Sequence, residues 1–135
     1  MINAYAAHAA GEDLKPFTYE PGELGRTEVE ISVEYCGICH SDISMINNDW
    51  DMSKYPLVPG HEVIGTIAAK GTDVIKFELG QRVGLGWLSR SCKTCECCLS
   101  GAQHLCQNSP ESTIVGRHGG VADRLEAGVD VVLVD

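Results

Sequence analysis

The chain has 135 residues, enough for one domain with a hydrophobic core and too few for two. A hydrophobic content of 44% beside 21% charged residues is typical of globular proteins and argues against a disordered chain. The formal net charge of −9 argues against nucleic acid and against an anionic membrane surface as partners, because both require Lys and Arg to neutralise phosphate.

No apolar run reaches the roughly 20 residues that a transmembrane helix needs. The first residues, MINAYAAHAAGEDLKPF, lack the basic and apolar regions of a signal peptide. We therefore expect a cytoplasmic protein, in which thiols stay reduced and clustered cysteines bind metal more often than they form disulfides. The odd number of cysteines, seven, agrees with that expectation.

The first predicted strand is TEVEISVEYC, residues 27–36, in which apolar and polar residues alternate. Because successive side chains of a strand point to opposite faces, the pattern predicts a half-buried strand with an acidic, solvated face. The predicted inner face holds Val29, Ile31, Val33 and Tyr35. The predicted outer face holds Glu28, Glu30, Ser32 and Glu34.

The next predicted element is a short helix within SDISMINND, residues 41–49, with Ser41 or Asp42 as its N-cap. Further strands are predicted in EVIGTIAAKG (62–71), QRVGLGWL (81–88), GGVADRLEA (119–127) and VDVVLV (129–134). Short strands punctuated by glycine predict a mainly β domain, either a barrel or a sandwich. No G-x-G-x-x-G follows a strand and opens a helix, so the pattern predicts no Rossmann unit.

The segment SCKTCECCLSGAQHLC, residues 91–106, holds five of the seven cysteines. Cys92, Cys95, Cys98 and Cys106 form C-x2-C-x2-C-x7-C, a spacing suited to tetrahedral zinc. Four protein ligands leave no position for water, so this site would be structural. Disulfides and an iron–sulfur cluster are the alternatives, although ferredoxin spacings differ. Cys97 is interpreted as a bystander, but spacing alone permits it to replace Cys98.

Between Lys93 and Gln107 the sequence is poor in apolar residues. A segment without core material needs another source of stability, and a bound metal supplies it. We therefore predict a zinc-bound lobe at about residues 89–110.

Two other motifs, YCGICHSD (35–42) and PGHEVIG (59–65), hold Cys39 and His61. A catalytic zinc takes three protein ligands and leaves one position open, and two cysteines with one histidine are one such set. Asp42 is suited to orient His61, and Glu62 to approach the metal as an alternative ligand. From the residues alone, a metal pair and ordinary packing roles for Cys39 and His61 both stay open.

The other candidate ligands are expected to have no metal. Cys36, at the end of an apolar strand, is expected to be a small buried hydrophobe. His8, His104 and His118 are expected to be surface or packing histidines.

CGICHSD, then GHE about twenty residues later, then the four-cysteine segment resemble the N-terminal half of zinc-dependent medium-chain alcohol dehydrogenases. The similarity continues through YPLVPGHEVIG, GQRVG and GGVADRL, and so covers nearly the whole chain. CGICHSDISMINNDW and VGLGW place it near the cinnamyl-alcohol-dehydrogenase-like branch and bacterial aldehyde reductases. The resemblance implies that residues 1–135 form one GroES-like catalytic domain, a partly open β-barrel with short helices and a zinc-bound cysteine lobe.

The resemblance also implies roles at the metal and in the pocket. Cys39 and His61 match catalytic zinc ligands, Glu62 matches the residue that exchanges with water at the metal, and Asp42 matches the partner of the ligand histidine. Other positions match residues of the proton relay and the ligand pocket: Ser41 (substrate oxygen and start of the relay), His40 (cofactor pyrophosphate) and Trp50 (substrate pocket, with a core anchor as the alternative). Ser44 stands where many relatives carry the last histidine of the relay, so we expect the relay to end differently here.

The implied reaction is zinc-assisted hydride transfer between NADP or NAD and an aldehyde or primary alcohol, and full-length relatives are expected to be homo-oligomers. The family's third catalytic zinc ligand, a cysteine, and its Rossmann domain match no part of these 135 residues. We therefore expect this chain alone to be inactive or nearly so. The alternative is a non-enzymatic, zinc-stabilised structural or binding module with only the four-cysteine site filled.

Overall fold

The computed structural model describes residues 1–134. Its strands are β1 (Ile2–Ala6), β2 (Lys15–Tyr19), β3 (Val29–Cys36), β4 (Val63–Lys70), β5 (Arg82–Leu85), β6 (Leu88–Arg90), β7 (Glu111–Ser112), β8 (Arg124–Ala127) and β9 (Val132–Leu133). Its helices are α1 (His40–Asn47), the single turn α2 (Glu96–Leu99) and a 3₁₀ turn, Gln103–Leu105.

A five-stranded antiparallel sheet in the order β8-β3-β4-β5-β9 forms the centre of the domain. Its longest pairing joins β3 and β4, with Val29 opposite Lys70 and Cys36 opposite Val63. The amide of Gly37 extends this pairing by donating to the carbonyl of Glu62, at 2.8 Å. Because Cys39 follows the end of β3 and His61 precedes β4, the pairing brings the two candidate ligands together.

One apolar cluster fills the inner face of this sheet. Fully or almost fully buried members include Val29, Ile31, Val63, Ile67, Phe77 and Leu125. Phe77 comes from the connection between β4 and β5 and has no exposed surface. Burying a side chain of this size stabilises the fold by about 1.5–3 kcal/mol.

The predicted inner face of β3 is correct for Val29 and Ile31 and wrong for Tyr35, which is 69% exposed. The register of the β3–β4 pair shifts between Val33 and Tyr35. A one-residue irregularity reverses which side chains face the core, and this turns Tyr35 outward.

The acidic face of β3 is compensated by arginines from neighbouring elements. Glu30 accepts from Arg124 of β8 at 3.1 Å, and Glu34 accepts from Arg82 of β5 at 2.6 Å. Glu28, just before the strand, pairs with Arg90 of β6. The carboxylates therefore connect strands that the alternation alone does not relate to one another.

Sequence patterning did not predict the N-terminal hairpin of β1 and β2. Its buried positions, Ile2, Ala4 and Ala6, are mostly small residues, which give a weak strand signal. The hairpin is attached through an isolated bridge from Ala4 to Ala122 and through Asn3, whose side-chain amide donates to Asp123 at 2.8 Å.

Two other boundaries also differ from prediction. The predicted strand at 81–88 is interrupted, because Gly86 and Trp87 separate β5 from β6. The predicted N-caps Ser41 and Asp42 are wrong, since Cys39 is the N-cap of α1. Asp42 instead occupies the third helical position and its carboxylate accepts the Cys39 amide, as one half of a capping box.

The mainly β fold class is confirmed, and among residues 1–134 the sheets stay open rather than closing into a barrel. No helix in the described part of the chain has both the length and the apolar character to cross a bilayer.

Candidate functional site

Four cysteine sulfurs form a compact cluster on the lobe that follows β6. The ligand atoms of Cys92, Cys95, Cys98 and Cys106 all lie within 4.8 Å of one another. The Sγ atoms of Cys92 and Cys98 are 3.8 Å apart, which is about the separation of two sulfurs on one tetrahedral zinc with bonds near 2.3 Å. All seven cysteines are free, so the disulfide alternative finds no support.

The surroundings of these sulfurs favour thiolates at some positions and thiols at others. Hydrogen bonds from the amide and hydroxyl of Thr94 lower the pKa of Cys92 to about 5, and amide donors lower that of Cys95. Burial and the neighbouring Cys95 raise the pKa of Cys98 to about 11. A divalent cation that binds all four sulfurs must therefore displace protons, and its affinity falls as the pH falls.

Little apart from these cysteines holds the lobe together. Between Lys93 and Gln107 the only buried residues are Cys98 and Cys106, whereas Leu99 and Leu105 are 75% and 60% exposed. The structure includes Cys98 in the cluster and leaves Cys97 out. A metal bound by the four cysteines would supply the stability that an apolar core gives to other segments.

The lobe is attached to the main domain next to its first cysteine. The side chain of Asp130, between β8 and β9, is 5% exposed. It accepts the Ser91 amide at 2.7 Å and the Ser91 hydroxyl at 2.9 Å, and it pairs with Lys93. Because Ser91 and Lys93 flank Cys92, this contact fixes the chain where the cluster begins.

A second cluster lies where β3 and β4 meet. The ligand atoms of Cys39, His61 and Glu62 fall within 4.8 Å of one another. His61 is buried, Cys39 is half-buried and Glu62 is exposed. One thiolate, one imidazole and one carboxylate are a donor set that suits zinc, and the exposed side leaves access for a further ligand.

Asp42 joins the two motifs that supply this cluster. Its Oδ1 lies 3.0 Å from Nδ1 of His61 and accepts the Gly60 amide at 2.9 Å. Its Oδ2 accepts the Cys39 amide at 3.0 Å. A carboxylate on one imidazole nitrogen fixes the tautomer and leaves Nε2 free for a metal. The side chain of Asp42 is 6% exposed, so solvent weakens these interactions little.

The first turn of α1 carries the other predicted polar residues. His40 is exposed at the first helical position, and Ser41 follows it, half-buried. Ser44, one turn later, is buried. Ser41 thus lies in the first turn of α1, close in sequence to the candidate ligand Cys39 and next to Asp42.

Two tryptophans lie beside the second of these two metal-competent clusters, the one formed by Cys39, His61 and Glu62. The ring of Trp87 meets the ring of His61 edge-on, with centroids 5.1 Å apart, and Trp50 meets Trp87 at 6.4 Å. Trp50 is 45% exposed and Trp87 38% exposed, so the core-anchor alternative for Trp50 does not hold. Sequence reasoning missed Trp87; an aromatic residue directly after a strand and Gly86 was the available signal.

The remaining cysteine and histidines lie outside both clusters. Cys36 is half-buried against the core of the sheet, and burial raises the pKa of its thiol. His8 and His118 each pack edge-on against Phe17. His104 is exposed on the lobe.

The sequence profile of the alcohol dehydrogenase GroES-like domain matches residues 25–133. This range contains the central sheet and both metal-competent clusters. The chain belongs to the alcohol dehydrogenase GroES-like domain family.

Comparison with known dehydrogenases agrees with this assignment. This GroES-like domain is 61% identical over 133 residues to the aldehyde reductase AdhA of Synechocystis sp., covering 98% of the chain and 39% of that enzyme. The solved cinnamyl alcohol dehydrogenase of Helicobacter pylori, complexed with NADP(H), superposes with a TM-score of 0.90 at 30% identity, covering 99% of the chain and 41% of that structure. The solved cinnamyl alcohol dehydrogenase of Sorghum bicolor superposes with a TM-score of 0.87 at 37% identity, covering 99% of the chain and 40% of that structure. The chain thus spans about two fifths of the length of these relatives.

Proposed function

We propose that this GroES-like domain is the catalytic domain of a zinc-dependent alcohol dehydrogenase or aldehyde reductase, acting with NADP or NAD on an aldehyde or primary alcohol. One observation carries the proposal: the ligand atoms of Cys39, His61 and Glu62 lie within 4.8 Å of one another, with Glu62 on the exposed side. Asp42 joins the two motifs that supply these residues. When bound, zinc polarises the carbonyl oxygen and the nicotinamide supplies the hydride.

The residues of the site divide into those that bind the metal and one that positions them. Cys39 and His61 supply a sulfur and a ring nitrogen to the metal, and Glu62 supplies a third donor whose exposed carboxylate exchanges with water. Asp42 keeps the Nδ1 proton of His61 in place and holds the Cys39 backbone. Its negative charge also makes the imidazole a better electron donor.

Ser41 moves the proton in this proposal. Ser41 lies in the first turn of α1, close in sequence to Cys39 and next to Asp42, which supports a role in which its hydroxyl meets the oxygen of a bound substrate. Because Ser44 replaces the histidine expected from the family, the proton leaves Ser41 through solvent. General acid–base catalysis of this kind contributes typically 10²–10⁴-fold to the rate.

Trp50 and Trp87 form an apolar wall next to His61. Aromatic surface beside a polar metal site favours a substrate with an apolar or aromatic body and a carbonyl at one end. The four-cysteine cluster has a separate role, since four thiolates occupy every position of a tetrahedral zinc and leave none for substrate.

A chimera tests the proposal. The part of the Synechocystis aldehyde reductase that aligns with this chain is replaced by this chain, and NADPH oxidation with an aromatic aldehyde is measured. The expected result is aldehyde reduction, with kcat lowered at least about 100-fold by Ser41→Ala while the zinc content stays unchanged. A folded chimera that holds its zinc and reduces no aldehyde contradicts the proposal.

The 135-residue chain by itself is proposed to have little or no activity, because the described residues contain no nucleotide-binding unit. The alternative of a non-enzymatic, zinc-stabilised module predicts the same inactivity but different metal content. Native mass spectrometry of the reduced chain distinguishes them: two zinc ions, with one lost in Cys39→Ser, support the catalytic site, and a single zinc unaffected by Cys39→Ser supports the module.

A further inference from the structure

Glu62 lies directly on Gly37, a residue with no role in the site described above. A β-carbon built at Gly37 would collide with Oε2 of Glu62 and would lie 3.2 Å from its Cβ and 3.4 Å from its Cδ. The Gly37 amide also donates to the Glu62 carbonyl at 2.8 Å. The side chain of Glu62 therefore occupies the space that any other residue at position 37 would fill.

Backbone conformation does not explain why position 37 is a glycine. Gly37 lies outside the left-handed region, in contrast to Gly60, whose φ is 105°. A residue with a side chain could thus adopt the same backbone without strain. The three nearest atoms to a β-carbon at this position all belong to Glu62, so space for Glu62 is a local requirement that the structure does show.

We propose that Gly37 is a positioning residue for Glu62: the missing side chain lets the Glu62 carboxylate lie beside Cys39 and His61 as the third donor to a metal. The inference rests on the metal site of the proposed function and adds a residue to it. Alanine at position 37 collides with the flexible end of Glu62 and crowds its Cβ at 3.2 Å, so the carboxylate must move away, whereas the backbone needs to shift by only a few tenths of an ångström. The fold should survive and the third donor should be lost.

The chain offers a matched control at the other end of β3. A β-carbon at Gly25 would lie 2.7 Å from Oε2 and 2.9 Å from Cδ of Glu28, and Gly25 is also outside the left-handed region. Gly25→Ala therefore displaces a glutamate in the same way, but one that belongs to neither metal-competent cluster.

The test measures metal affinity rather than activity. The reduced chain is loaded with one zinc in the four-cysteine cluster, confirmed by native mass spectrometry, and then titrated with Co²⁺, whose visible absorption reports its ligands. Gly37→Ala should weaken Co²⁺ binding at least about tenfold, in the range seen for residues that support metal ligands, while Gly25→Ala leaves it unchanged. In a Glu62→Gln background, Gly37→Ala should have no further effect.

Each other result overturns the proposal in a recognisable way. Equal Co²⁺ affinity in Gly37→Ala and the natural chain, or the same weakening in the Glu62→Gln background, shows that Gly37 does not act through Glu62. Loss of the four-cysteine zinc in Gly37→Ala shows a role in folding instead. If the natural chain takes up no Co²⁺ beyond the filled cluster, the metal site of the proposed function fails as well.

Discussion

At the scale of single residues, the carboxylate of Asp42 connects the two motifs that supply the candidate metal site. It receives the Gly60 amide, the Cys39 amide and the His61 ring while almost fully buried. These partners belong to the segment that follows β3 and the segment that precedes β4. One side chain thus fixes both the separation of the candidate ligands and the tautomer of His61.

Asp42→Asn should weaken the site and the fold together. The side-chain nitrogen of the asparagine takes the place of one carboxylate oxygen and there faces an N–H donor, from either Gly60 or Cys39. At least one buried hydrogen bond is therefore lost, at a cost of about 1–3 kcal/mol. Metal affinity at Cys39 and His61 should fall about 10–100-fold. Urea unfolding and Co²⁺ titration measure the two effects. Asp49→Asn, at an exposed position after α1, is the control and should change neither.

Sequence predicted the residue types at the site better than their surroundings. Cys39, His61 and Glu62 were assigned to a metal through the resemblance to alcohol dehydrogenases, because the residues alone left metal binding and ordinary packing both open. Trp87 and Gly37 were not recognised, because their importance comes from contacts across the sheet. No local pattern records that a tryptophan faces His61 or that a glutamate lies on a glycine.

At the scale of elements, strands with strong alternation and large apolar residues were found, and weaker ones were not. β3 and β4 were predicted because valine and isoleucine mark their buried faces. β1 buries alanines, and β7 has only two residues, so neither gives a readable pattern. The turned-out Tyr35 follows from a register shift that depends on the partner strand.

Attachment of the N-terminal hairpin should depend on pH through Asp123. The side-chain and backbone N–H groups of Asn3 lower the pKa of this carboxyl below its usual 3.8. A lowered pKa in the folded state means that the stabilisation is present above pH 3.8 and is lost as the pH falls through the lowered value. Because Asp123 is exposed, this stabilisation amounts to no more than about 1 kcal/mol.

The comparison of Asp123→Asn with the natural chain measures this contribution. Hydrogen exchange of the β1 amides is followed at each pH, so that any loss of zinc in acid affects both proteins alike. The variant should exchange faster above pH 3.8, and the difference should disappear in stronger acid. A difference that persists unchanged into acid would rule out ionisation of Asp123 as its cause.

At the scale of the whole molecule, the domain contains two parts that are stabilised by different physics. The central sheet encloses an apolar cluster. The lobe has a four-sulfur cluster and almost no buried apolar surface. The two are joined by the covalent chain and by the contact of Asp130 with Ser91 and Lys93. Stability that comes from separate sources is lost in separate steps.

Removal of metal should therefore release the lobe before the sheet. A chelator, or the substitution Cys92→Ser, should leave the segment between Lys93 and Gln107 unprotected in hydrogen exchange, because metal ligation is its main source of order. The amides of β3 and β4 should stay protected, because their core contains no metal ligand. Cys97→Ser changes a cysteine in the same helical turn outside the cluster and should leave both regions as they are.

Mass spectrometry of peptides after exchange separates the possible results. If the lobe and the sheet lose protection at the same chelator concentration, the domain unfolds as one unit and the Asp130 contact couples the two parts strongly. If the lobe stays protected without metal, its order comes from the chain itself, and the prediction that a metal on the four cysteines orders the lobe is wrong. Selective release of the lobe would leave the Cys39–His61 cluster on an intact sheet, where its own metal affinity can be measured separately.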